Sequence, residues 1–281
     1  MNATTTTVVE GLPATGTFRS TPTVAFGALL LRDLSVLRKE FVQFIARTVM
    51  QPLLFVFVFA YVFPKIGQGV GGSAGAAAFS SILVPGVVAI ACIFQGIQSV
   101  ALPLVQEFGY SREIEDRVMA PLPVWSVAVE KVVAGALQGL IAAAIVFPLA
   151  MFVPATPVHL DVRPLLLFTL LPLAAGTAAS LGLVLGTRVQ PRQVPLLFGI
   201  VVIPIVFLGA TYYPWATLTP IPWLKAVVLL NPLVYMSEGM RISLTPQVPH
   251  MPYVAIYGGM IGFIALFLAL GIDGFRKRVL S

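Results

Sequence analysis

The residue types that perform acid–base or metal chemistry are few in this sequence and widely separated. His159 and Asp161 lie in one predicted loop and His250 lies in another, and no HExxH sequence occurs. No lysine stands in the G-x-x-x-x-G-K-[ST] context that cradles nucleotide phosphates. Cys92 is the one cysteine, which excludes an intrachain disulfide and a cysteine-based metal cluster. The sequence therefore disfavours an enzyme, and an intramembrane enzyme is the weakest alternative.

One short segment concentrates charge. Of 17 Lys or Arg and 11 Asp or Glu residues, six lie within residues 107–123, EFGYSREIEDRVMAPLP. Glu113 and Arg117 have the i, i+4 spacing of a helical ion pair, while Ile114 and Val118 share another face. Prolines follow and end the helix. We predict a short amphipathic helix, and its apolar stripe implies a partner that covers it.

Composition indicates the environment that must position this segment. The chain is 58% hydrophobic and 10% charged, whereas soluble domains carry about a quarter charged residues. Basic residues flank apolar runs in small groups and form no continuous stripe, so nucleic acid is not an expected partner. The sequence predicts an all-α integral membrane protein whose surroundings are the lipid bilayer.

Six apolar runs are long enough to cross a bilayer, which needs about 20 residues. A further apolar stretch, Ile221–Leu244, is broken by prolines, Glu238 and Arg241, and we interpret it as re-entrant helices between spans five and six. The predicted spans are Ala46–Phe63, Ser80–Leu102, Trp125–Val153, Pro164–Thr187, Val194–Thr211 and Met251–Ile272.

The basic residues predict the orientation. With both termini in the cytoplasm, thirteen basic residues fall on the cytoplasmic side and four on the other, as the positive-inside rule requires. The thirteen are Arg19, Arg32, Arg38, Lys39, Arg47, Arg112, Arg117, Lys131, Arg188, Arg192, Arg276, Lys277 and Arg278; the four are Lys65, Arg163, Lys225 and Arg241.

The N-terminal region divides into a tail and a helix. Residues 1–23 are rich in threonine, glycine and proline, and we expect them to form a disordered cytoplasmic tail. Val24–Arg47 places apolar side chains towards one face and charged ones on the other. This pattern predicts an interfacial amphipathic helix at the start of a transmembrane domain that occupies residues 24–281.

Polar residues within the spans are the candidates for a pathway. Gln95, Gln98 and Ser99 form a stripe on span two, and Gln138 on span three could face it. The stripe could line a route for an amphipathic molecule, or it could bond neighbouring helices. No Asp, Glu, Lys or Arg lies near the middle of a span, which disfavours an ion-coupled carrier.

The order of several motifs resembles a known family. Glu107-Phe108-Gly109, a charged helix and then Ala120-Pro121-Leu122-Pro123 resemble the cytoplasmic loop of ABC-2-type permeases, in particular the daunorubicin-resistance-type permeases. YYPWATLTPIPW after span five, and Asn231-Pro232-Leu233-Val234-Tyr235 with Arg241 beyond it, are similar to segments of the same family. The resemblance covers about residues 25–280.

The resemblance implies the membrane subunit of an ATP-driven exporter that moves a drug or lipid out through the bacterial inner membrane, with multidrug resistance as one outcome. It implies two permease copies, expected to be identical, and two cytoplasmic ATPase subunits that bind ATP and Mg²⁺, with no cofactor in this chain. The runner-up is a lipid-linked polysaccharide exporter, because QPLLFVFVFAYVFPKI at residues 51–66 also resembles the first span of those permeases.

The resemblance also assigns roles to residues. The segment 107–123 becomes a coupling helix that passes ATPase closure to the spans, through Glu107, Gly109, Arg112, Glu113, Ile114, Asp116, Arg117, Val118 and Pro121. The segment between spans five and six caps the exit, with Tyr213, Trp215, Asn231, Tyr235, Glu238 and Arg241 as its key residues. Because Glu238 and Arg241 would be costly in lipid, we expect them to pair or to face water.

Overall fold

A computed structural model describes residues 22–66, 72–111, 123–156 and 158–280, and this part of the chain is helical and contains no β-strand. The long helices are α1 (Pro22–Lys39), α2 (Phe41–Lys65), α3 (residues 72–111), α4 (Val124–Phe152), α5 (Pro164–Arg188), α6 (Pro191–Phe207) and α9 (Tyr253–Leu280). Between α6 and α9 lie the short α7 (Pro222–Val227) and α8 (Pro232–Leu244). The architecture confirms the prediction of an all-α integral membrane protein.

Five helices of the described chain, α2 to α5 and α9, are long and apolar enough to cross a membrane. The helix at the position of the predicted fifth span, α6, is shorter: it ends at Phe207 rather than Thr211. At 1.5 Å per residue its length is roughly 25 Å, somewhat less than the hydrocarbon core of a bilayer.

The predicted interfacial helix is divided in two. The chain leaves helical geometry at Glu40, and α2 begins at Phe41, so the first span starts earlier than the predicted Ala46. Phe26 and Leu29 of α1 pack beside Val127 and Val132 near the start of α4. The apolar face of α1 is therefore partly covered by the chain's own spans rather than by lipid alone.

Small residues allow α3, α4 and α5 to approach closely, and α3 is the most enclosed of the five long helices. A Cβ added at Gly182 of α5 would lie 2.3 Å from the carbonyl oxygen of Gly96 on α3. A Cβ added at Gly135 of α4 would lie 2.3 Å from Val100. Glycine is required at Gly182 because a side chain there would force the two helix backbones apart, whereas at Gly135 it would displace the Val100 side chain.

The short helix α8 is enclosed by the long ones. It packs against α3, α5 and α9, and nearly all of its residues are buried. Its last carbonyls are satisfied from the loop before α5, because the backbone N–H groups of Asp161 and Arg163 donate to Leu244 and Ser243. Those bonds allow a helix end to lie inside a membrane protein without exposing backbone groups to lipid.

Wider π-helical turns interrupt three of the described helices. They occupy Phe57–Val62 in α2, Ile97–Ala101 and Glu107–Ser111 in α3, and Leu197–Val202 in α6. Such turns contain an extra residue relative to an α-helix and often occur near functional sites. Two of these turns lie in the C-terminal part of α3, which connects the polar stripe to the charged segment.

Candidate functional site

Gln95 lies at the centre of a hydrogen-bonded group that joins three helices. Its side chain is buried, its Oε1 accepts from Thr48 of α2 at 3.1 Å, and its Nε2 donates to Gln138 of α4 at 3.3 Å. Both ends of the amide are therefore engaged with protein. This arrangement supports the helix-bonding alternative for Gln95, since buried amides in a bilayer need such partners.

Gln98 and Ser99 lie one turn further along α3 and have a different environment. Both line a cavity of about 380 Å³ between α1, α2, α3 and α4, and Gln138 lines it too. The Oε1 of Gln98 is buried and accepts no hydrogen bond from the described residues. Ser99 donates to the Gln95 carbonyl at 2.7 Å, which leaves its oxygen able to accept. The predicted stripe is thus divided between a bonded residue and a cavity wall.

An ion cluster closes one side of this cavity. The Lys131 ammonium on α4 lies 3.0 Å from the Asp33 carboxylate on α1 and 3.3 Å from the Glu107 carboxylate on α3. The Lys131 side chain is 5% exposed, and those of Asp33 and Glu107 are 14% and 10% exposed. We call this group the α1–α3–α4 cluster. It ties the N-terminal helix to the end of span two.

The Glu107-Phe108-Gly109 triplet contacts a different element through each residue. Glu107 binds Lys131, as above, and the Phe108 ring packs edge-on against Phe275 of α9 with centroids 5.5 Å apart. A Cβ added at Gly109 would lie 2.3 Å from the Pro191 ring at the start of α6, so a larger residue would displace that loop. The base of the charged segment therefore contacts α4, α6 and α9.

The rest of the charged segment lies outside the described residues. The coupling residues concerned are Arg112, Glu113, Ile114, Asp116, Arg117, Val118 and Pro121, and their predicted role stays a prediction. Glu107 and Gly109 are the two predicted coupling residues that the structure places. Both lie in the π-helical turn Glu107–Ser111 at the end of α3.

At the opposite end, Glu238 and Arg241 pair within α8, and both side chains are fully buried. The Glu238 carboxylate also accepts from the backbone N–H groups of Trp215 at 2.8 Å and Met251 at 2.7 Å. Arg241 Nη2 donates to the Ala210 carbonyl at 2.8 Å. We call this group the α8 pair. It joins α8 to the segments before and after it.

The carbonyl that meets Arg241 is held in an uncommon backbone conformation. Ala210 has φ of 52°, in the left-handed region that residues with a Cβ adopt infrequently. The preceding carbonyl, Gly209, accepts from the Ser237 hydroxyl at 2.6 Å. Two consecutive carbonyls after α6 therefore accept hydrogen bonds from α8, and the bond from Arg241 offsets part of the cost of burying its guanidinium.

The remaining predicted exit residues support the same short helices. Asn231 caps α8, because its side chain accepts from the Leu233 N–H at 2.9 Å, and it also donates to Ile205 of α6. Tyr235 packs so closely on Gly259 of α9 that an added Cβ would lie 2.2 Å from the ring. Tyr213 is half-buried between α6 and α7, and burial raises the pKa of its hydroxyl.

Two comparisons with known proteins bear on this arrangement. The model of the family described as "ABC-2 type transporter" matches residues 24–245, well over half of the chain. The chain belongs to the ABC-2 type transporter family. The inner membrane transport permease YadH of Escherichia coli strain K12 is 26% identical over 231 residues, which cover 81% of this chain and 87% of that protein. The protein of the same description from Shigella flexneri matches equally.

The match to the ABC-2 family confirms the family predicted from the motifs, and it makes the chain a transmembrane transport component. It does not distinguish the daunorubicin-resistance-type subgroup, which stays a prediction. Within the ABC-2 fold, the asparagine–proline–tyrosine pattern now has a physical reason. Asn231 begins α8, Tyr235 fixes it on α9, and Arg241 closes the buried pair.

Sequence reasoning missed the α1–α3–α4 cluster of this ABC-2 chain. The sequence places Lys131 among the cytoplasmic basic residues and names no partner for it, whereas in the structure it binds Asp33 and Glu107. The signal available was weak: three ionisable residues near the same predicted interface, far apart along the chain. The cavity beside the cluster carried no signal at all, since it depends on how α1 folds back.

Proposed function

We propose that this chain is the membrane permease subunit of an ATP-driven exporter in the bacterial inner membrane. The cargo is an amphipathic or hydrophobic compound, a drug or a lipid. A separate ATPase subunit binds ATP and Mg²⁺, two copies of it serve two permease chains, and the second permease is identical to the first. Both termini and residues 107–123 face the cytoplasm. The inner-membrane location follows that of the E. coli relative.

One observation carries the proposal: the base of the charged segment contacts three other helices of the bundle. Glu107 bonds to α4, Phe108 packs on α9, and Gly109 lies against the start of α6. A rigid-body push on the segment would therefore reach several helices together, because packed helices shift as units. This is what a protein driven from outside the membrane requires.

The charge distribution supports an external energy source. Among the described spans, the Asp, Glu, Lys and Arg residues lie near the helix ends, as Glu107 and Lys131 do, and none lies near a midpoint. Carriers driven by protons or ions ordinarily hold an ionisable residue in the pathway itself. The lining of the cavity favours a drug or lipid over a glycan chain, since Phe44 is the one aromatic residue among those that the structure places there.

The coupling role is tested by charge inversion. Glu113→Lys with Asp116→Lys should weaken association with a coexpressed ABC ATPase subunit and abolish ATP-dependent uptake into inverted vesicles. Asp161→Lys is the matched control, because it inverts an exposed acidic residue on the opposite side of the bundle. If the double variant copurifies with the ATPase and transports normally, the segment has another role. Uptake driven by a proton gradient without any ATPase would contradict the exporter itself.

The orientation is tested with single cysteines on a Cys92→Ser background. Ser111→Cys should be modified by a membrane-impermeant maleimide only after cells are opened, whereas His159→Cys should react in intact cells. These positions lie at opposite ends of the bundle, so the pair reports orientation directly. Reaction at residue 111 in intact cells would reverse the proposed topology.

A further inference from the structure

We propose that the cavity between α1, α2, α3 and α4 binds the uncharged, hydroxyl-bearing polar head of an amphipathic compound. Describing that compound as cargo rests on the proposed function; the binding site itself does not. The proposal separates Gln98 and Ser99 from Gln95, which the sequence places on one stripe. The first two would contact the ligand, and Gln95 would hold the helices around it.

The size and lining of the cavity suit the head of a single amphiphile. Its volume of about 380 Å³ lies at the lower end of the range of small-molecule sites, and it is too small for a polymer. Val36, Leu37, Phe44 and Leu102 supply apolar groups to the wall, and amide and hydroxyl groups supply polar ones. A ligand that satisfies both kinds of group must itself be amphipathic.

The polar part of the wall offers both acceptors and a donor. Gln98 lines the cavity, and its Oε1 has no donor among the described residues. Ser99 Oγ already donates to Gln95, so it can only accept a further bond. Gln138 accepts from Gln95 through Oε1, which leaves its Nε2 to donate. A hydroxyl group both donates and accepts, so several hydroxyls match this mixed set.

The charges around the cavity disfavour an ionic head. Arg32, Arg47 and Lys131 are balanced by Asp33, Glu40 and Glu107 along the lining. Lys131, the most buried cation of the set, already binds two carboxylates. A charged ligand head would lose part of its hydration, and a lining with equal numbers of positive and negative side chains offers it no net counter-charge in return. An uncharged head avoids it.

The test measures protection of a reporter cysteine in the full chain, reconstituted in phosphatidylcholine nanodiscs. Leu102→Cys on the Cys92→Ser background places a thiol in the cavity wall, and its rate of reaction with N-ethylmaleimide is followed. Four probes share one alkyl chain: octyl glucoside, octyl phosphocholine, octyl sulfate and octyltrimethylammonium. We expect octyl glucoside to protect at a lower concentration than the other three.

Variants then assign the contact. Gln98→Leu should raise the octyl glucoside concentration for half-protection about tenfold, because a lost bond to a buried polar group costs roughly that factor. Ser99→Ala should raise it by a smaller factor, and it provides the answer if Gln98→Leu does not fold. Gln43→Leu is the matched control: it removes an exposed amide outside the cavity and should change nothing.

The proposal is overturned if the four probes protect equally or if a charged probe protects best. It is also overturned if octyl glucoside protection survives in both Gln98→Leu and Ser99→Ala. The assay contains neither ATP nor an ATPase. Protection without ATP-dependent transport would therefore contradict the exporter and leave the site intact, whereas transport without protection would contradict only the site.

Discussion

The two buried ion groups lie at opposite ends of the bundle and differ in how completely they are enclosed. The α8 pair is fully buried, and its carboxylate also binds two backbone N–H groups. The α1–α3–α4 cluster shares one ammonium between two carboxylates, retains slight exposure and borders a cavity. The first joins segments near in sequence, and the second joins three separate helices.

This difference indicates which end can change shape. A fully buried ion pair is very costly to separate, because each charge would remain desolvated without its partner. Water in the neighbouring cavity can hydrate the members of the α1–α3–α4 cluster if they part, so separation there costs less. We therefore expect the α8 end to stay fixed while α1 and the end of α3 move relative to α4.

The largest effect should come from the α8 pair. Arg241→Met leaves the Glu238 carboxylate buried without its counter-charge, and it should lower the free energy of unfolding by about 3–5 kcal/mol. Thermal unfolding of the purified chain, followed by tryptophan fluorescence, measures this. Adding Glu238→Gln to Arg241→Met should recover part of the loss, because the amide oxygen still accepts one backbone bond. If Arg241→Met alone unfolds at the same temperature as the parent chain, the α8 pair is not enclosed as the structure indicates.

A smaller loss of stability but a marked loss of transport is expected for Lys131→Met. Removing the shared ammonium should cost about 1–3 kcal/mol, since water can reach the two carboxylates that remain. ATP-dependent uptake should fall much further than stability does, and Lys131→Arg should restore most of it. If Lys131→Met destabilises the chain as strongly as Arg241→Met, the two ion groups are equally enclosed and the comparison fails.

Substitutions in the uncharged amide group around Gln95 should change stability less than those in either ion group. Gln95→Leu removes hydrogen bonds to Thr48 and Gln138 and should cost about 1 kcal/mol of unfolding free energy. Gln98→Leu should leave stability unchanged, because its oxygen has no partner among the described residues. Equal losses in the two variants would show that both amides bond helices.

The smallest effect should be at the exposed pair of α9. Lys277 and Asp273 lie 2.8 Å apart, but their side chains are 77% and 51% exposed. Exposed pairs contribute little because water and salt screen them. Lys277→Met should therefore unfold at the same temperature as the parent chain. A clear shift would show that burial is not what ranks these ion pairs.

The sequence predicted most of the bundle because lipid imposes long apolar runs. Pro164–Arg188 was located to within a residue, and α4 almost as closely. Glu238 and Arg241 were predicted to pair or to face water, and the structure shows that they pair, since an i, i+3 spacing on an apolar helix leaves few other partners. The start of α2 was harder to place, because the break at Glu40 has no glycine or proline to mark it.

The parts that could not be predicted depend on contacts distant in sequence. Asp33 and Lys131 meet only because α1 packs on α4, and nothing near either residue signals that contact. Nor does the spacing of Gln95 and Gln98 reveal that Gln95 is hydrogen-bonded while the Gln98 Oε1 has no donor among the described residues. That distinction depends on where Thr48 and the cavity lie, which is a property of packing rather than of periodicity.

The π-helical turn Ile97–Ala101 has a consequence for how insertions and deletions should be distributed among related chains. An extra residue in a helix rotates everything beyond it by about 100°. Glu107 faces Lys131 with this extra residue present between it and Gln95. A relative with the same number of residues but a regular α3 at this level would carry Glu107 to another side of the helix. A relative with a regular α3 should therefore lack one residue here, because a one-residue alignment gap returns the acidic side chain to the side that faces α4.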